Sequence, residues 1–241
     1  LRETVLQLAV QGKLTADWRV NNPDQFVDNL EENKKYEFGF EMEIPSTWKM
    51  YPIGNIMNFQ QGMQIAKSTR LKEPEKGALP ILRIKNYHDG FKSDVEYIMI
   101  DDNSLIAEPD DIILTRTGES RGWVLTGHKG VFHNNTFRIN YPKDKIAKNF
   151  LKYYISSRDI QYFIKSNSGR TGQPDLSHKK FGPCPFALPP LEEQKAIVQK
   201  VNALMGLCDK LELEVQQSQE HSERLMQSCL REVFEGEKEV Y

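Results

Sequence analysis

The 241 residues of the chain carry 27% charged side chains and a mean hydropathy of -0.60, so we expect one globular domain beside an exposed, elongated part. Three cysteines, Cys184, Cys208 and Cys229, are odd in number and lack metal-ligand spacing, which excludes a disulfide framework and indicates a reducing, cytoplasmic compartment. The sequence has no run of 18 apolar residues, which excludes a membrane-spanning segment.

The net charge of -2 hides an uneven distribution of charge along the chain. Residues 44–185 hold 21 lysines and arginines against 14 acids, whereas the two flanks together hold 11 against 20. Residues 115–185 alone carry 13 basic and 4 acidic side chains. Such a concentration of positive charge is typical of proteins that bind a polyanion. For any single stretch, a lysine-rich solvated surface is the alternative.

The first 14 residues have the spacing of an amphipathic helix, and Gly12 is placed to end it. Residues 15–43 contain Asn-Asn-Pro and few apolar runs, which predicts a linker with one helical turn. Because the chain begins at Leu1 rather than Met, we expect its first element to be incomplete, in a sequence that starts inside a longer gene product or was trimmed.

Short strands separated by glycine-containing turns dominate the next part of the chain. The pattern predicts strands at residues 53–59, 80–84, 97–100, 111–116, 122–126 and 131–139. Residues 147–166 have apolar side chains at helical spacing, which predicts one helix lying on the sheet. The expected fold class is therefore α+β, a globular mixed-sheet domain followed by a long C-terminal helix that forms a coiled coil.

The long helix is predicted from Pro190 to about Gly236, or about 70 Å at 1.5 Å per residue. A proline at its first position and the acids Glu192 and Glu193 suit the positive end of a helix dipole. Partner-helix packing is expected along a stripe with 4-3 spacing. The stripe consists of Ile197, Val201, Leu204, Cys208, Leu211, Val215, Ser218, Ser222, Leu225 and Cys229. A dimerisation coil and a rigid spacer between two domains both fit this pattern.

A short internal repeat relates the two ends of the chain. Leu1, Thr4, Leu6, Val10 and Gly12 match Leu225, Ser228, Leu230, Phe234 and Gly236 at a constant offset of 224 residues. The N-terminus therefore looks like the tail of the helix type that ends the chain. A cut through a tandem duplication of domain plus helix would leave this arrangement.

Four stretches of sequence carry a family resemblance. Residues 44–62 read IPSTWKMYPIGNIMNFQQG, and residues 115–122 read TRTGESRG. Residues 168–177 read SGRTGQPDLS, and residues 188–198 read LPPLEEQKAIV. In order and spacing, these stretches resemble the specificity subunit of type I restriction-modification enzymes over nearly the whole chain.

The resemblance implies a domain order and a division of labour. It implies the end of a spacer helix at 1–14, a linker at 15–43, a target recognition domain at 44–188, a spacer helix at 189–236 and a tail at 237–241. In that family, two recognition domains read the two halves of a split DNA site, while two antiparallel helices hold them apart and bind two methyltransferase subunits. With one domain, this chain is expected to be either a fragment of a subunit or a half-subunit that pairs with itself.

The resemblance also implies partners and a non-catalytic role. The expected partners are double-stranded DNA, the methyltransferase and restriction subunits, and a second copy of the chain through the long helix, with no membrane. No cofactor is expected on this chain, because S-adenosylmethionine should belong to the methyltransferase partner. The alternative function, from a different class, is a coiled-coil scaffold whose globular domain binds protein.

Three loops, at 62–70, 115–121 and 165–173, combine the side chains that contact DNA. Base edges in the major groove pair with Arg, Asn and Gln, and phosphates pair with Lys, Arg, hydroxyls and backbone N–H groups. We expect the loops to face one groove, with a solvated turn as the alternative for each residue. The candidate DNA-binding residues are Gln64, Lys67, Ser68, Arg70, Arg116, Thr117, Ser120, Arg121, Ser168, Arg170, Thr171 and Gln173. Asn134 and Asn135 are weaker candidates, as are Lys85, Asn86 and Tyr87.

Patterns for catalysis are poorer. The tetrapeptide at 188–191 lacks the amide or acid and the aromatic residue that a base methyltransferase motif places around Pro-Pro. Asp175 with Glu193 and Lys195 formally fits a nuclease pattern that holds Mg²⁺ through carboxylates. That chemistry needs both acids beside one cleft, whereas Glu193 is expected in the first turn of a helix. The sequence therefore predicts a binding module without metal, with a DNA nuclease as the weakest alternative.

Overall fold

A computed structural model describes residues 1–27, 42–169 and 174–236. The chain begins with helices α1 (Arg2–Val10) and α2 (Ala16–Asn21), joined through a 3-10 turn at Lys13–Thr15. Gly12 has a φ of 69°, a left-handed conformation that glycine adopts without a Cβ clash, and it ends α1 as predicted. Residues 28–41 of the predicted linker, and the tail at 237–241, lie outside the described residues.

The central part of the chain alternates short strands with short helices. In chain order the elements are β1 (Lys49–Pro52), α3 (Ile53–Ile56), β2 (Asn58–Gln61), β3 (Leu79–Leu82), α4 (Ile84–His88), β4 (Tyr97–Ile98), β5 (Ile106–Ala107), β6 (Ile112–Thr115), β7 (Val124–Leu125), β8 (Gly130–Phe132) and β9 (Thr136–Asn140). Helices α5 (Lys148–Ser156), α6 (Arg158–Asn167) and α7 (His178–Phe181), strand β10 (Pro185–Leu188) and helix α8 (Leu191–Gly236) complete the fold.

The strands form three sheets, and the expected α+β class with mixed pairing is confirmed. One sheet has the antiparallel order β2-β9-β6-β7. A second has the order β4-β3-β8-β5, in which β3 and β8 run parallel. The third is the pair of β1 with β10, in which Lys49 lies opposite Leu188. Because β1 and β10 are antiparallel partners, the chain enters and leaves the globular part at adjacent points.

Three predicted elements are divided in the structure. Residues 53–59 form a helical turn and then a strand. The turn is held by two backbone hydrogen bonds to the segment after α7, from Ile53 N to Cys184 O and from Gly54 N to Gly182 O. Residues 131–139 break at a turn, where Thr136 N donates to His133 O, in keeping with the two turn-forming asparagines. The predicted helix at 147–166 is interrupted at Ser157. The backbone of Ser157 is extended, with a ψ of 153°, and its hydroxyl donates to the carbonyl of Tyr154.

One buried cluster connects the globular part with both end helices. It contains Ile112 and Phe137 of the sheet, Phe150 and Tyr154 of α5, and Trp48 before β1. Val5, Ala9 and Val10 of α1 and Ile197 and Val201 of α8 belong to the same cluster. Helix α1 is therefore packed into the core, antiparallel to α8, since Arg2 pairs with Asp209 whereas Asp17 pairs with Lys200.

Helix α8 is 46 residues long and divides its apolar stripe into two halves. In the first half Ile197, Val201 and Cys208 are buried and Leu204 is partly buried, against α1 and α5. In the second half Leu211, Val215 and Leu225 are each more than 50% exposed. The partner helix of the first half is therefore α1 of the same chain. No helix in the described ranges is both long and apolar enough to cross a membrane.

A buried carboxylate joins three distant parts of the sequence. Glu193 is fully buried, and its two oxygens accept hydrogen bonds from Thr15 Oγ1 at 2.7 Å, Arg19 Nη1 at 2.5 Å and Trp48 Nε1 at 2.8 Å. The positive charge of Arg19 compensates the buried negative charge, which is otherwise costly to remove from water. Glu193 therefore ties α2 and the entry to β1 onto the start of α8.

We expect Glu193→Ala to lower the free energy of unfolding by about 3–5 kcal/mol, because it leaves Arg19 and the two neutral donors without their acceptor. Urea unfolding followed by circular dichroism measures the change. Glu192→Ala is the matched control, since the neighbouring Glu192 is exposed in its pair with Lys195 and should contribute less than about 1 kcal/mol. Equal effects of the two variants would contradict the role assigned to Glu193.

A close approach at Gly62 brings the end of β2 onto the turn between β8 and β9. A Cβ at this position would lie 2.2 Å from His133 O and 2.5 Å from Phe132 O, both backbone atoms. Gly62→Ala should therefore destabilise the protein by about 1–3 kcal/mol through overpacking. Gly206→Ala, in open space on α8, should instead stabilise it by up to about 1 kcal/mol. Thermal unfolding distinguishes the two, and an unchanged melting temperature for Gly62→Ala would contradict the close approach.

Candidate nucleic-acid interface

The polar loops come together at one end of the β2-β9-β6-β7 sheet. Strands β2 and β6 end there at Gln61 and Thr115, while β9 and β7 begin there at Thr136 and Val124. Because neighbouring strands are antiparallel, the loops after β2 and β6 and the turn before β9 must emerge on the same side. We call the described parts of loops 62–70, 115–121 and 165–173, together with residues 133–135 and 174–176, the loop face.

A continuous series of hydrogen bonds runs across the loop face. Asn134 Nδ2 donates to Gln64 Oε1 at 2.6 Å, which ties the turn to the first loop. The next residue, Asn135, accepts from Arg116 N at 2.7 Å, and Gly118 N donates to Pro174 O at 3.2 Å. Asp175 N then donates to Ser168 O at 3.0 Å. The structure therefore brings the three predicted loops together, with the turn at 133–135 between them.

The candidate residues differ in how far they reach solvent. Gln64, Lys67 and Ser68 are exposed, and Thr117 and Ser120 are half-buried. Their hydroxyl, amide and ammonium groups are the donor and acceptor types that contact phosphates and base edges. Three further candidates, Arg170, Thr171 and Gln173, lie outside the described residues and stay predictions from the sequence.

Arg121 and Ser168 hold the loops in shape from the inside. Both are buried, and Arg121 Nε donates to Ser168 Oγ at 2.6 Å while its Nη1 donates to Gly118 O at 3.1 Å. The Ser168 hydroxyl also donates to Ile164 O at 2.6 Å, at the end of α6. With these internal partners, the two side chains link the second loop to the third and present little surface for a ligand.

Arg70 also has partners inside the protein. Its Nη1 donates to Glu96 Oε2 at 2.9 Å, its Nη2 donates to Ile65 O at 2.8 Å, and its side chain is 17% exposed. Arg83 bonds the same carboxylate oxygen at 2.5 Å. The sequence analysis predicted Arg70 but neither Arg83 nor Glu96 as a site residue. Arg83 and Glu96 lie outside the three loops and are distant from each other in sequence.

Arg116 has a different environment, at the centre of the loop face. Its Nε donates to Asp175 Oδ1 at 2.5 Å and its Nη2 donates to Asp175 Oδ2 at 3.1 Å, while both side chains remain about one-third exposed. The backbone is held on both sides, because Leu176 N donates to Arg116 O at 2.9 Å. Asp175 was considered from the sequence only as a nuclease ligand. Its pairing with Arg116 could not be read from residue spacing.

Two histidines, one on the loop face and one beside it, have pKa values below the usual value. Desolvation, followed by the charges of Arg70 and Arg83, holds the pKa of His133 below its usual value. Desolvation, followed by the charge of Arg116, does the same to the pKa of His178. The positive charge of this region therefore comes from lysines and arginines, including the exposed Lys179 beside His178.

The acids of the nuclease pattern do not share a cleft. Asp175 pairs with Arg116 on the loop face, whereas Glu193 is buried among Thr15, Arg19 and Trp48. In the described ranges there is no group of three or more His, Cys, Asp or Glu side chains arranged to hold a metal ion. The carboxylates of this pattern therefore act within the fold.

Comparison with known proteins gives one consistent result. A family model described as the type I restriction modification DNA specificity domain matches residues 45–220. The type I restriction enzyme MjaVIII specificity subunit of Methanocaldococcus jannaschii is 27% identical over 77% of this chain and 42% of its own length. The EcoDI specificity subunit of Escherichia coli is 26% identical over 98% of this chain and 53% of its own length. The chain thus spans about half the length of these relatives.

Solved structures agree on the fold. A chain from a study of complex assembly and conformational transition of the type I R-M system superposes with a TM-score of 0.63 at 16% identity, over 95% of this chain and 53% of that one. The HsdS subunit from Thermoanaerobacter tengcongensis superposes with a TM-score of 0.56 at 16% identity, over 87% and 47%. Since the family model covers most of the chain and its range contains the motifs at 115–122, 168–177 and 188–198 and all but the first residue of the motif at 44–62, the chain belongs to the type I restriction-modification DNA specificity family.

Proposed function

We propose that the chain is a target recognition module, which reads one half of a bipartite duplex DNA site through the loop face. The observation that carries the proposal is the gathering of the loop face at one end of a sheet. Hydrogen bonds of Asn134 and Asn135 connect its first two loops, and those of Pro174 and Asp175 connect the second to the described part of the third. A rigid row of polar loops can follow a groove without a large loss of conformational entropy on binding.

The charge distribution supports a duplex as the ligand. Residues 44–185, which contain the loop face, hold 21 basic and 14 acidic side chains. The rest of the chain, including α8, holds 11 basic and 20 acidic ones. A duplex carries one negative charge per about 1.7 Å of its axis, so it is attracted to the globular part and repelled by the helix. The target recognition domain is accordingly assigned to residues 44–188 and the spacer helix to 189–236.

The second half of α8 is proposed to dock methyltransferase subunits. Leu211, Val215 and Leu225 form a stripe that is more than 50% exposed, and the same helix exposes further apolar side chains at Leu207, Leu213, Met226 and Leu230. At about 1.5 Å per residue, the 46 residues of α8 extend about 69 Å, long enough to fix the distance between two attached bodies. Restriction subunits complete the assembly, and a second copy of this chain is the alternative occupant of the stripe.

Catalysis is assigned to the partners. S-adenosylmethionine is proposed to bind the methyltransferase subunit, while this chain supplies recognition and spacing without a cofactor. Its three cysteines are free, with Cys184 and Cys208 buried and Cys229 exposed, as suits a protein that works in the reducing cytoplasm.

Salt dependence tests the DNA-binding role. Affinity for duplex should fall steeply between about 50 and 200 mM salt, because bound protein releases condensed counterions. Lys67→Ala should weaken selected and random duplexes equally and reduce the salt slope by about 1, whereas Gln64→Ala should weaken only the selected duplex, by about 1–3 kcal/mol. Fluorescence anisotropy measures both. Lys210→Ala, an exposed lysine on α8, is the control and should change neither value. Binding to protein alone, without dependence on salt, would favour the scaffold alternative.

Paired substitutions on α8 test the docking role. Leu211→Ser combined with Val215→Ser should raise the Kd for the methyltransferase subunit at least about 10-fold, because buried apolar anchors dominate interface energies. Affinity for DNA should be unchanged, and Glu223→Ala on an exposed position of the same helix should affect neither. Sedimentation of mixed subunits measures the complex. Full methyltransferase binding with lost self-association would assign the stripe to a second copy.

A further inference from the structure

The guanidinium of Arg116 is held in a fixed orientation that leaves one of its edges open. Asp175 accepts from Nε at 2.5 Å and from Nη2 at 3.1 Å, so its carboxylate occupies one side of the planar group. A guanidinium has five N–H donors in a rigid fork. The edge formed by Nη1 and the second hydrogen of Nη2 therefore keeps two parallel donors, for which the described part of the chain supplies no acceptor.

Arg138 provides the contrast, in the middle of β9 of the same sheet. It also pairs with an aspartate, Asp111, at 3.2 Å. Both of its terminal nitrogens have further partners: Nη1 donates to Ile106 O, and Nη2 donates to Ser104 O and to Gln60 Oε1. Both terminal nitrogens of Arg138 are thus used within the fold, whereas Arg116 combines a fixed position with an unused pair of terminal donors on the loop face.

The charge of the pair favours a base over a phosphate. A phosphate would approach the Asp175 carboxylate, which is itself negative, so the neutral Arg116–Asp175 pair attracts phosphate less than a lone arginine does. A base edge carries no net charge and is recognised by the direction of its hydrogen bonds. In the major groove only guanine offers two neighbouring acceptors, O6 and N7, to two parallel donors, because adenine replaces one acceptor with an amino group.

We propose that Arg116 reads a guanine in the major groove, and that Asp175 is the positioning residue that aims its open edge. The proposal rests on the proposed function of the loop face and adds the base, the reader and the group that orients the reader. Holding the side chain before binding reduces the entropy lost when it docks. Backbone bonds from Arg116 N to Asn135 O and from Leu176 N to Arg116 O fix the base of the same side chain.

The test uses the full chain and duplexes containing guanine analogues. Duplexes bound from a random pool are sequenced, and each guanine of the selected half-site is replaced in turn by 7-deazaguanine, which lacks the N7 acceptor. At one position the replacement should weaken binding by native protein about 10-fold, within the range for a bidentate contact. Arg116→Ala, which leaves no donor for guanine, should reduce this loss below about 2-fold at that position and leave the other positions unchanged.

Asp175→Asn separates positioning from structure. It removes a negative charge that faces DNA, so affinity for random duplex should stay equal or rise, while the 7-deazaguanine effect falls to the level of Arg116→Ala. Arg138→Lys is the matched control, and it should lower thermal stability while leaving the analogue profile unchanged. A circular dichroism melt of each variant confirms that it is folded at the assay temperature.

Three results would overturn the proposal. In the first, both variants weaken every duplex equally and keep the native analogue profile, which makes the pair a structural clamp between the second and third loops. In the second, the selected half-site contains no guanine at which the analogue matters, although a sequence is selected, and DNA reading by the loop face survives. In the third, no sequence is selected at all, and the proposed function fails together with the inference.

Discussion

The buried carboxylate of Glu193 is the constraint on which the arrangement of the chain depends. A charge without solvent must be matched by donors, and here the donors come from residues 15, 19 and 48, which are far from 193 in sequence. The N-terminal helices, the entry to the globular part and the start of α8 can therefore satisfy that charge only in one relative position. The core cluster that spans α1, α5 and α8 packs around this junction and adds apolar burial to it.

From this junction, the sheet carries the loop face to the far end of the globular part. In the antiparallel order β2-β9-β6-β7, strands β2 and β6 end on the same side of the sheet on which β9 and β7 begin, which explains why loops distant in sequence lie together. Their polar residues then divide into two groups. Arg121 and Ser168 stabilise the loops from within, while Gln64, Lys67 and Ser68 point to solvent. The side-chain hydrogen bonds of Asp175 support a role in orienting Arg116, and this role accounts for an acid on a face that is proposed to bind DNA.

Sequence patterns predicted those features that depend on local periodicity. The 4-3 spacing after Pro190 predicted the long helix and Gly12 predicted the end of α1, since a stripe that continues over many turns and a glycine after a cap are strong local signals. The family motifs likewise located the loops that meet at one end of the sheet. The split at Ser157 and the helical turn at Ile53 were missed, because they depend on contacts with residues far along the chain.

Side-chain roles were harder to predict than elements. Glu193 was expected to interact with the helix dipole, yet its side-chain partners are Trp48, Arg19 and Thr15. The spacing of these residues in the sequence does not indicate that they meet in the fold. Arg121 looked like a ligand-binding arginine, because exposure cannot be read from residue type alone. The stripe on α8 was expected to need a partner from outside, whereas the short N-terminal helix α1 already covers its first half.

The adjacency of β1 and β10 has an evolutionary consequence. Lys49 lies opposite Leu188, so the first and last strands of the globular part are neighbours, and the chain enters and leaves it at adjacent points. Insertions, deletions or wholesale exchange of that intervening sequence leave the separation of the two attachment strands unchanged. Variation in the sequence between these two strands therefore leaves the entry to β1 and the start of α8 beside each other.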